Sequence, residues 1–174
     1  MPEADEENCT VKAASDYSGR ALALAREIVK KLSAGGTFIA AAESCTAGLA
    51  ADFIACVPGA SKVFWGSFVT YTADAKRKML GVQEDLLKKH GAVSRPVAIA
   101  MAERTLEISG ASLAFSVTGL AGPEGDDSGI PVGTVWIGLA GRAGDTKPQA
   151  KMFRFTGSRN EVRYAAAAAA LEEV

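Results

Sequence analysis

Thr37-Phe38-Ile39-Ala40-Ala41-Ala42-Glu43-Ser44-Cys45-Thr46-Ala47-Gly48 decides the fold. Its first half is an unbroken apolar run, the pattern of a strand buried on both faces. Its second half turns through Glu43-Ser44-Cys45 and predicts a helix over about Thr46 to Cys56, ended by Val57-Pro58-Gly59. A buried strand that feeds a helix is the repeating unit of a layered α/β domain.

The flanking sequence extends that unit. Upstream, Leu22, Ala25, Ile28, Val29 and Leu32 recur at helical spacing, so a helix is expected over Ser18 to Ala34, stopped by Gly35-Gly36. Met1 to about Ala14 is polar and aperiodic, which predicts a mobile tail over residues 1–15 and one domain over 16–174. Downstream, Val63 to Tyr71 reads as a strand, Ala73 to Leu80 as a short helix, and Val82 to Lys89 as another, with His90-Gly91 at its end. Ser94-Arg95-Pro96 opens a helix that Gly110 closes, with Ser94 as N-cap. Ser112 to Val117 is a further apolar strand. Thr134 to Ala140 and Ala150 to Phe155 form a hairpin through a Gly144-Asp145 turn region. Ser158-Arg159-Asn160-Glu161 is a capping box that starts a last helix through Ala165 to Ala170. The order predicts an α/β domain with a mixed sheet of about five strands and helices on both faces.

Composition excludes several classes. Of 174 residues, 48% are hydrophobic and 22% charged, with 19 Lys+Arg against 20 Asp+Glu and a net charge of -1. A disordered chain has fewer apolar residues and more net charge. A nucleic-acid binder normally carries an excess of basic residues. No apolar run reaches the length of a membrane span, and Met1 to Thr10 lacks the apolar core of a secretory signal. A cytoplasmic protein is therefore expected, with no nucleic-acid and no membrane partner. Three cysteines (Cys9, Cys45, Cys56) without a C-x-x-C pair, and a single histidine, His90, offer neither a disulfide framework nor a metal ligand set. His90 reads as the cationic end of a helix. Any catalytic base is then expected to be something other than histidine.

Four stretches could carry chemistry. The turn at Ser44-Cys45-Thr46 lies where open α/β sheets build sites, beyond a strand's carboxyl end. A hydroxyl there could be a nucleophile with the helix amides as oxyanion hole, although Ser44 or Thr46 would equally serve as a helix cap, the commoner role. Cys45 is a rival nucleophile, with packing as its ordinary role. Tyr71 ends a strand and Lys76 follows on a helix. A lysine of depressed pKa can act as general base, while the default for such a pair is a core tyrosine and a solvated lysine. The loop from Thr118-Gly119 to Gly133 could let backbone amides approach an anion. Arg159, on the first turn of the last helix, could hold a phosphate or simply face solvent.

Together these pieces carry a resemblance. Ala42-Glu43-Ser44-Cys45-Thr46-Ala47-Gly48, Val57-Pro58-Gly59-Ala60-Ser61, Tyr71 with Lys76, Leu80-Gly81-Val82, His90-Gly91-Ala92-Val93-Ser94, Val117-Thr118-Gly119-Leu120-Ala121-Gly122-Pro123 and Pro131-Val132-Gly133-Thr134-Val135-Trp136-Ile137 closely resemble the CinA C-terminal domain family. The likeness covers about Tyr17 to Val174. It implies a three-layer α/β/α sandwich, a dimer, no metal and no cofactor. It also implies an amidohydrolase that converts nicotinamide mononucleotide to nicotinate mononucleotide and ammonia. By the same resemblance Ser44 is the nucleophile, Tyr71 and Lys76 activate it and shuttle protons, and Cys45, Thr46, Thr118, Gly119 and Arg159 bind the substrate. A small-molecule nucleotide is the expected partner. A non-catalytic nucleotide-sensing or protein-interaction module, and a hydrolase of another small amide, are the alternatives. Two departures stand out: Ala47 replaces a Gly of the family motif, read as tolerable on a helix's first turn, and Glu124-Gly125-Asp126-Asp127-Ser128 is more acidic than the family's Gly-rich loop.

Overall fold

Ile39–Glu43 form β1, and every one of its five residues is buried, as the apolar run requires. A computed structural model describes residues 4–142 and 147–174, with side chains from residue 16 onward. The chain runs α1 (Ala4–Gly35), β1, α2 (Leu49–Ala55), a short 3-10 turn (Ala60–Lys62), β2 (Phe64–Val69), α3 (Ala73–Leu80), α4 (Glu84–His90), α5 (Arg95–Ser109), β3 (Leu113–Gly119), β4 (Thr134–Gly141), β5 (Gln149–Arg154) and α6 (Arg159–Glu172). The sheet order is β2-β1-β3-β4-β5, with β1 parallel to β2 and β3, and the last two pairings antiparallel. This is the expected mixed five-stranded α/β fold.

The alternation along the strands sorts the helices into two layers. Ile39, Ala41, Phe115 and Val117 join the core under α1, α2 and α6, whereas Ala42 joins Val97 and Met101 of α5 on the other face. Alanines make the α1–α6 contact close: Ala21 and Ala25 of α1 share that core with Ala166, Ala169 and Ala170 of α6. On the opposite face, the Ser116 hydroxyl donates to the Ala98 carbonyl of α5 at 2.6 Å. Gly138 of β4 faces the same carbonyl, and a Cβ there would strike it.

Register then builds one polar edge. Glu43 lies level with Val69 of β2 and Val117 of β3, so the three parallel strands end together. The residues that follow, from Ser44, Thr70 and Thr118, emerge side by side. The chain passes from β1 to β2 on one side of it and then crosses back to β3 on the other, which places the edge of β1 at the kind of crevice in which open α/β sheets bind ligands.

Two helix starts and one cap differ from expectation. α1 begins at Ala4 rather than Ser18. Residues 4–14 include three Ala and two Glu, which favour helix without drawing an apolar stripe. α2 begins at Leu49, not Thr46, with Gly48 as its N-cap in the left-handed region. Ser94 does stand at the N-cap of α5, but its hydroxyl donates to the Gly91 carbonyl at 2.9 Å instead of capping the helix. Met1-Pro2-Glu3 and the expected Gly144-Asp145 turn lie outside the described residues. Among the described residues, no helix is long and apolar enough to cross a membrane.

Candidate active site

The turn after β1 is shaped by one carboxylate. Glu43 is fully buried and accepts hydrogen bonds from the amides of Gly48 (2.9 Å), Ala50 (3.1 Å) and Ala51 (2.9 Å), and from the Ser67 hydroxyl at 3.3 Å. These are the amides a helix start leaves without internal partners. The helix amides expected to form an oxyanion hole are therefore already satisfied by Glu43. Ser44 and Thr46 do not cap α2 either, because the helix starts beyond them. The turn that remains, Ser44 to Gly48, closes on itself through Ala47 N–H to Ser44 O at 3.1 Å, with Ala47 at φ 53. Ala47 is thus not on a helical turn but in a conformation that favours glycine.

Ser44 meets the residue from α3 that the sequence singled out. Lys76 Nζ lies 2.8 Å from Ser44 Oγ and donates to the Thr70 carbonyl at 2.9 Å. The Ser44 hydroxyl donates to the Tyr71 carbonyl at 3.2 Å. α3 sets this up: Thr72 caps it by accepting from Ala75 N–H at 3.0 Å, and its second turn aims Lys76 back at the edge of the sheet. Lys76 is 1% exposed, against the habit of lysines, and burial lowers its pKa from 10.5 to about 8, with the neighbouring Cys45 offsetting part of the shift. Burial also pushes the Cys45 thiol up to about 11, so it is protonated near neutral pH and a poor nucleophile.

Tyr71 is half-exposed rather than a core residue. Its phenol accepts from the Arg159 guanidinium and stands between neither Ser44 nor Lys76, which touch directly. Arg159 also donates to the Gly122 carbonyl at 2.7 Å, so it ties the loop after β2 to the Gly-rich loop after β3. A cavity of about 220 Å³ opens here, walled by Ser44, Cys45, Tyr71, Lys76, Gly119 and Arg159, with Thr118 and Asp126 beside them. The Thr118 hydroxyl is fixed by the Ala92 carbonyl at 2.7 Å. Gly119 has no room for a side chain, since a Cβ would lie 2.7 Å from Val135 and 2.8 Å from the Thr134 carbonyl.

Of the eight residues singled out in the sequence, seven line one cavity. Thr46 is the exception: its side chain is fully buried away from it, and the hydroxyl finds no partner among the described residues. The acidic loop does reach the site through Asp126, whose carboxylate is held below its ordinary range by the Ser128 hydroxyl and amide. His90 ends α4, as expected, away from the cavity. Sequence reasoning missed Glu43 and Arg163. An acid at the end of an apolar strand, just before free helix amides, was the available signal for the first. For the second it was an arginine four residues after Arg159, on the same helix face.

Comparison with known proteins identifies the family. The family model described as CinA C-terminal domain matches residues 21–174. A putative competence-damage inducible protein of Symbiobacterium thermophilum is 46% identical over 87% of this chain, which spans only 37% of that protein's length. The nicotinamide-nucleotide amidohydrolase PncC of Enterobacter agglomerans is 44% identical, covering 86% of this chain and 90% of its own. The crystal structure of the competence/damage inducible protein CihA from Agrobacterium tumefaciens superposes with a TM-score of 0.84 at 40% identity, covering 88% of this chain and 93% of that one. With a family match that takes in all but the first twenty residues, the chain belongs to the CinA C-terminal domain family.

Proposed function

We propose that the protein is an amidohydrolase converting nicotinamide mononucleotide to nicotinate mononucleotide and ammonia, with Ser44 as nucleophile. The observation that carries this reading is the 2.8 Å contact between a buried, pKa-depressed Lys76 amine and the Ser44 hydroxyl. The PncC relative, similar along nearly its whole length, supports the choice of substrate.

An amide is a weak electrophile whose leaving group must depart protonated, so a base, an oxyanion site and an acid are all needed. Neutral Lys76 accepts the Ser44 proton as Oγ bonds to the carboxamide carbon and the carbonyl electron pair moves onto oxygen. The Thr70 carbonyl holds Nζ in place through that step. The lysine then returns the proton to the nitrogen, the C–N bond breaks and ammonia leaves. Water, deprotonated by the same amine, releases the acid from Ser44. Arg159, with guanidinium donors to spare, takes the phosphate, and the Tyr71 phenol positions that guanidinium rather than relaying a proton. A cytoplasmic, dimeric enzyme working without metal or cofactor belongs to the same reading.

The test is ammonia release from nicotinamide mononucleotide beside a panel that includes nicotinamide, nicotinamide riboside and aliphatic amides. The mononucleotide should be the best substrate. Binding without ammonia would favour a sensing module, and faster release from another amide would move the substrate.

A further inference from the structure

Arg163 touches the turn that displays Ser44 without entering the cavity. Its Nε donates to the Cys45 carbonyl and its NH2 nitrogen to the Thr46 carbonyl, both at 3.2 Å, while its remaining nitrogen is tied to Asn160 Oδ1 at 3.2 Å. Each nitrogen of this guanidinium has a partner, and two of its three contacts go to consecutive carbonyls of one turn. Arg159, one helical turn earlier, reaches the loops after β2 and β3. Two arginines of α6 therefore hold all three loops at the carboxyl edge of the parallel strands.

A trans peptide is planar, with its carbonyl and its N–H pointing in opposite directions. Fixing the Cys45 carbonyl therefore fixes the Thr46 N–H, and fixing the Thr46 carbonyl fixes the Ala47 N–H. The Ala47 amide is used to close the turn on the Ser44 carbonyl. The amides of Cys45 and Thr46 bond no backbone acceptor among the described residues. With the α2 amides taken by Glu43, these two are the amides of the turn left without a protein acceptor, and Cys45 lines the cavity beside Ser44.

We propose that Arg163 is a positioning residue of the reaction: by gripping the Cys45 and Thr46 carbonyls it holds the turn that carries Ser44, and with it the unpaired Cys45 and Thr46 amides, in the shape that meets the negative charge developing on the substrate oxygen. It does so without touching substrate. The proposal rests on the reading of Ser44 as nucleophile. A donor held for the transition state raises turnover while leaving ground-state binding alone, so its loss falls on kcat rather than KM.

The experiment compares wild type, Arg163→Met, which keeps the aliphatic stem, and Arg163→Lys, which keeps the charge but not the paired donors. With nicotinamide mononucleotide, Arg163→Met should lower kcat by about 10- to 100-fold with KM within about twofold, and Arg163→Lys should fall between. A fluorophosphonate probe gives a readout that does not depend on the substrate. Ser44 Oγ forms the P–O bond, fluoride departs, Lys76 takes the proton, and the phosphoryl oxygen needs the same donors. Labelling of Ser44 should slow in parallel with kcat. If Arg163→Met does not fold, as read by circular dichroism, the decision rests on Arg163→Lys. Equal labelling rates in wild type and a folded variant, or a rise in KM with kcat unchanged, would overturn the role of Arg163 alone. Failure of wild type to label at Ser44 would overturn the serine reading and this inference with it. Labelling without ammonia release from the mononucleotide leaves the inference standing and removes only the proposed substrate.

Discussion

Two helices of this protein start in opposite ways. α6 carries its own cap: the Ser158 hydroxyl accepts from Glu161 N–H, and the Glu161 carboxylate accepts from Ser158 N–H at 2.6 Å. α2 has a glycine at its N-cap and no side-chain cap of its own, and its amides bond a carboxylate from the strand before it. The first arrangement is local and uses four consecutive residues. The second leaves the five residues between Glu43 and Leu49 free to form a turn no regular element would allow, with Ser44 at its tip. A helix that gives up its cap to a distant acid frees the residues in between for chemistry.

The largest break in this comparison comes from the tip of the turn. Ser44→Ala should lower ammonia release by about 10³-fold or more, because only binding and oxyanion stabilisation remain. Melting should change little, since Ser44 caps nothing. Near wild-type turnover would move the nucleophile elsewhere. Lys76→Met separates function from stability. It should also abolish most turnover, and wild-type kcat/KM should climb with pH through about 8, as the amine loses its proton. For stability the sign is fixed by the lowered pKa. The buried charge is a penalty fully present below pH 8, relieved as pH rises from 8 toward 10.5, and gone above that, where folded and unfolded lysine are both neutral. At pH 7 the variant should gain up to about 3 kcal/mol, less the lost bond to the Thr70 carbonyl. A urea titration at pH 7 showing Lys76→Met less stable than wild type would contradict the account of the shift.

The two caps can be compared directly. Glu43→Gln replaces an acceptor for three amides by a group that presents donors to some of them, in a fully buried place. A loss of about 2–4 kcal/mol is expected, with turnover falling too as the turn loosens. Glu161→Gln, at an exposed cap, keeps an acceptor and should cost less than about 1 kcal/mol. Equal losses would show that Glu43 is no more than an ordinary cap.

This contrast also explains what the sequence could reveal. The capping box, the strand runs, the Gly91 and Gly110 helix stops and the mixed sheet were legible because each rests on neighbours in the chain or on a repeating period. The fully packed β1 announced itself by the apolar run from Phe38 to Ala42, unbroken until Glu43. What stayed hidden depends on distance. Ser44 and Lys76 are 32 residues apart and meet only because three strands end in register. Lysines are rarely buried, so spacing alone made a solvated Lys76 and a core Tyr71 the default, and the structure reverses both. The helix expected from about Thr46 starts only at Leu49, because its first residues belong to the turn held by Glu43.

Ala47 gives the smallest and sharpest test. At φ 53 an alanine carries a penalty of about 1–2 kcal/mol that glycine does not, whereas glycine loses about 0.5–1 kcal/mol more backbone entropy on folding. The net expectation for Ala47→Gly is a gain of roughly 0.5–1 kcal/mol, read as a melting temperature a few degrees higher. The same substitution in α6 must go the other way. Ala165→Gly, mid-helix and buried, should lose about 1 kcal/mol from propensity and more from the void it leaves. Because Glu43 and Arg163 hold the turn from outside, Ala47→Gly should keep kcat within about twofold. Destabilisation by Ala47→Gly would mean that the turn does not keep residue 47 at positive φ. A gain in stability accompanied by a large fall in kcat would mean that the methyl group itself holds Ser44 in place, and that the clamp formed by the acid and the arginine is not sufficient.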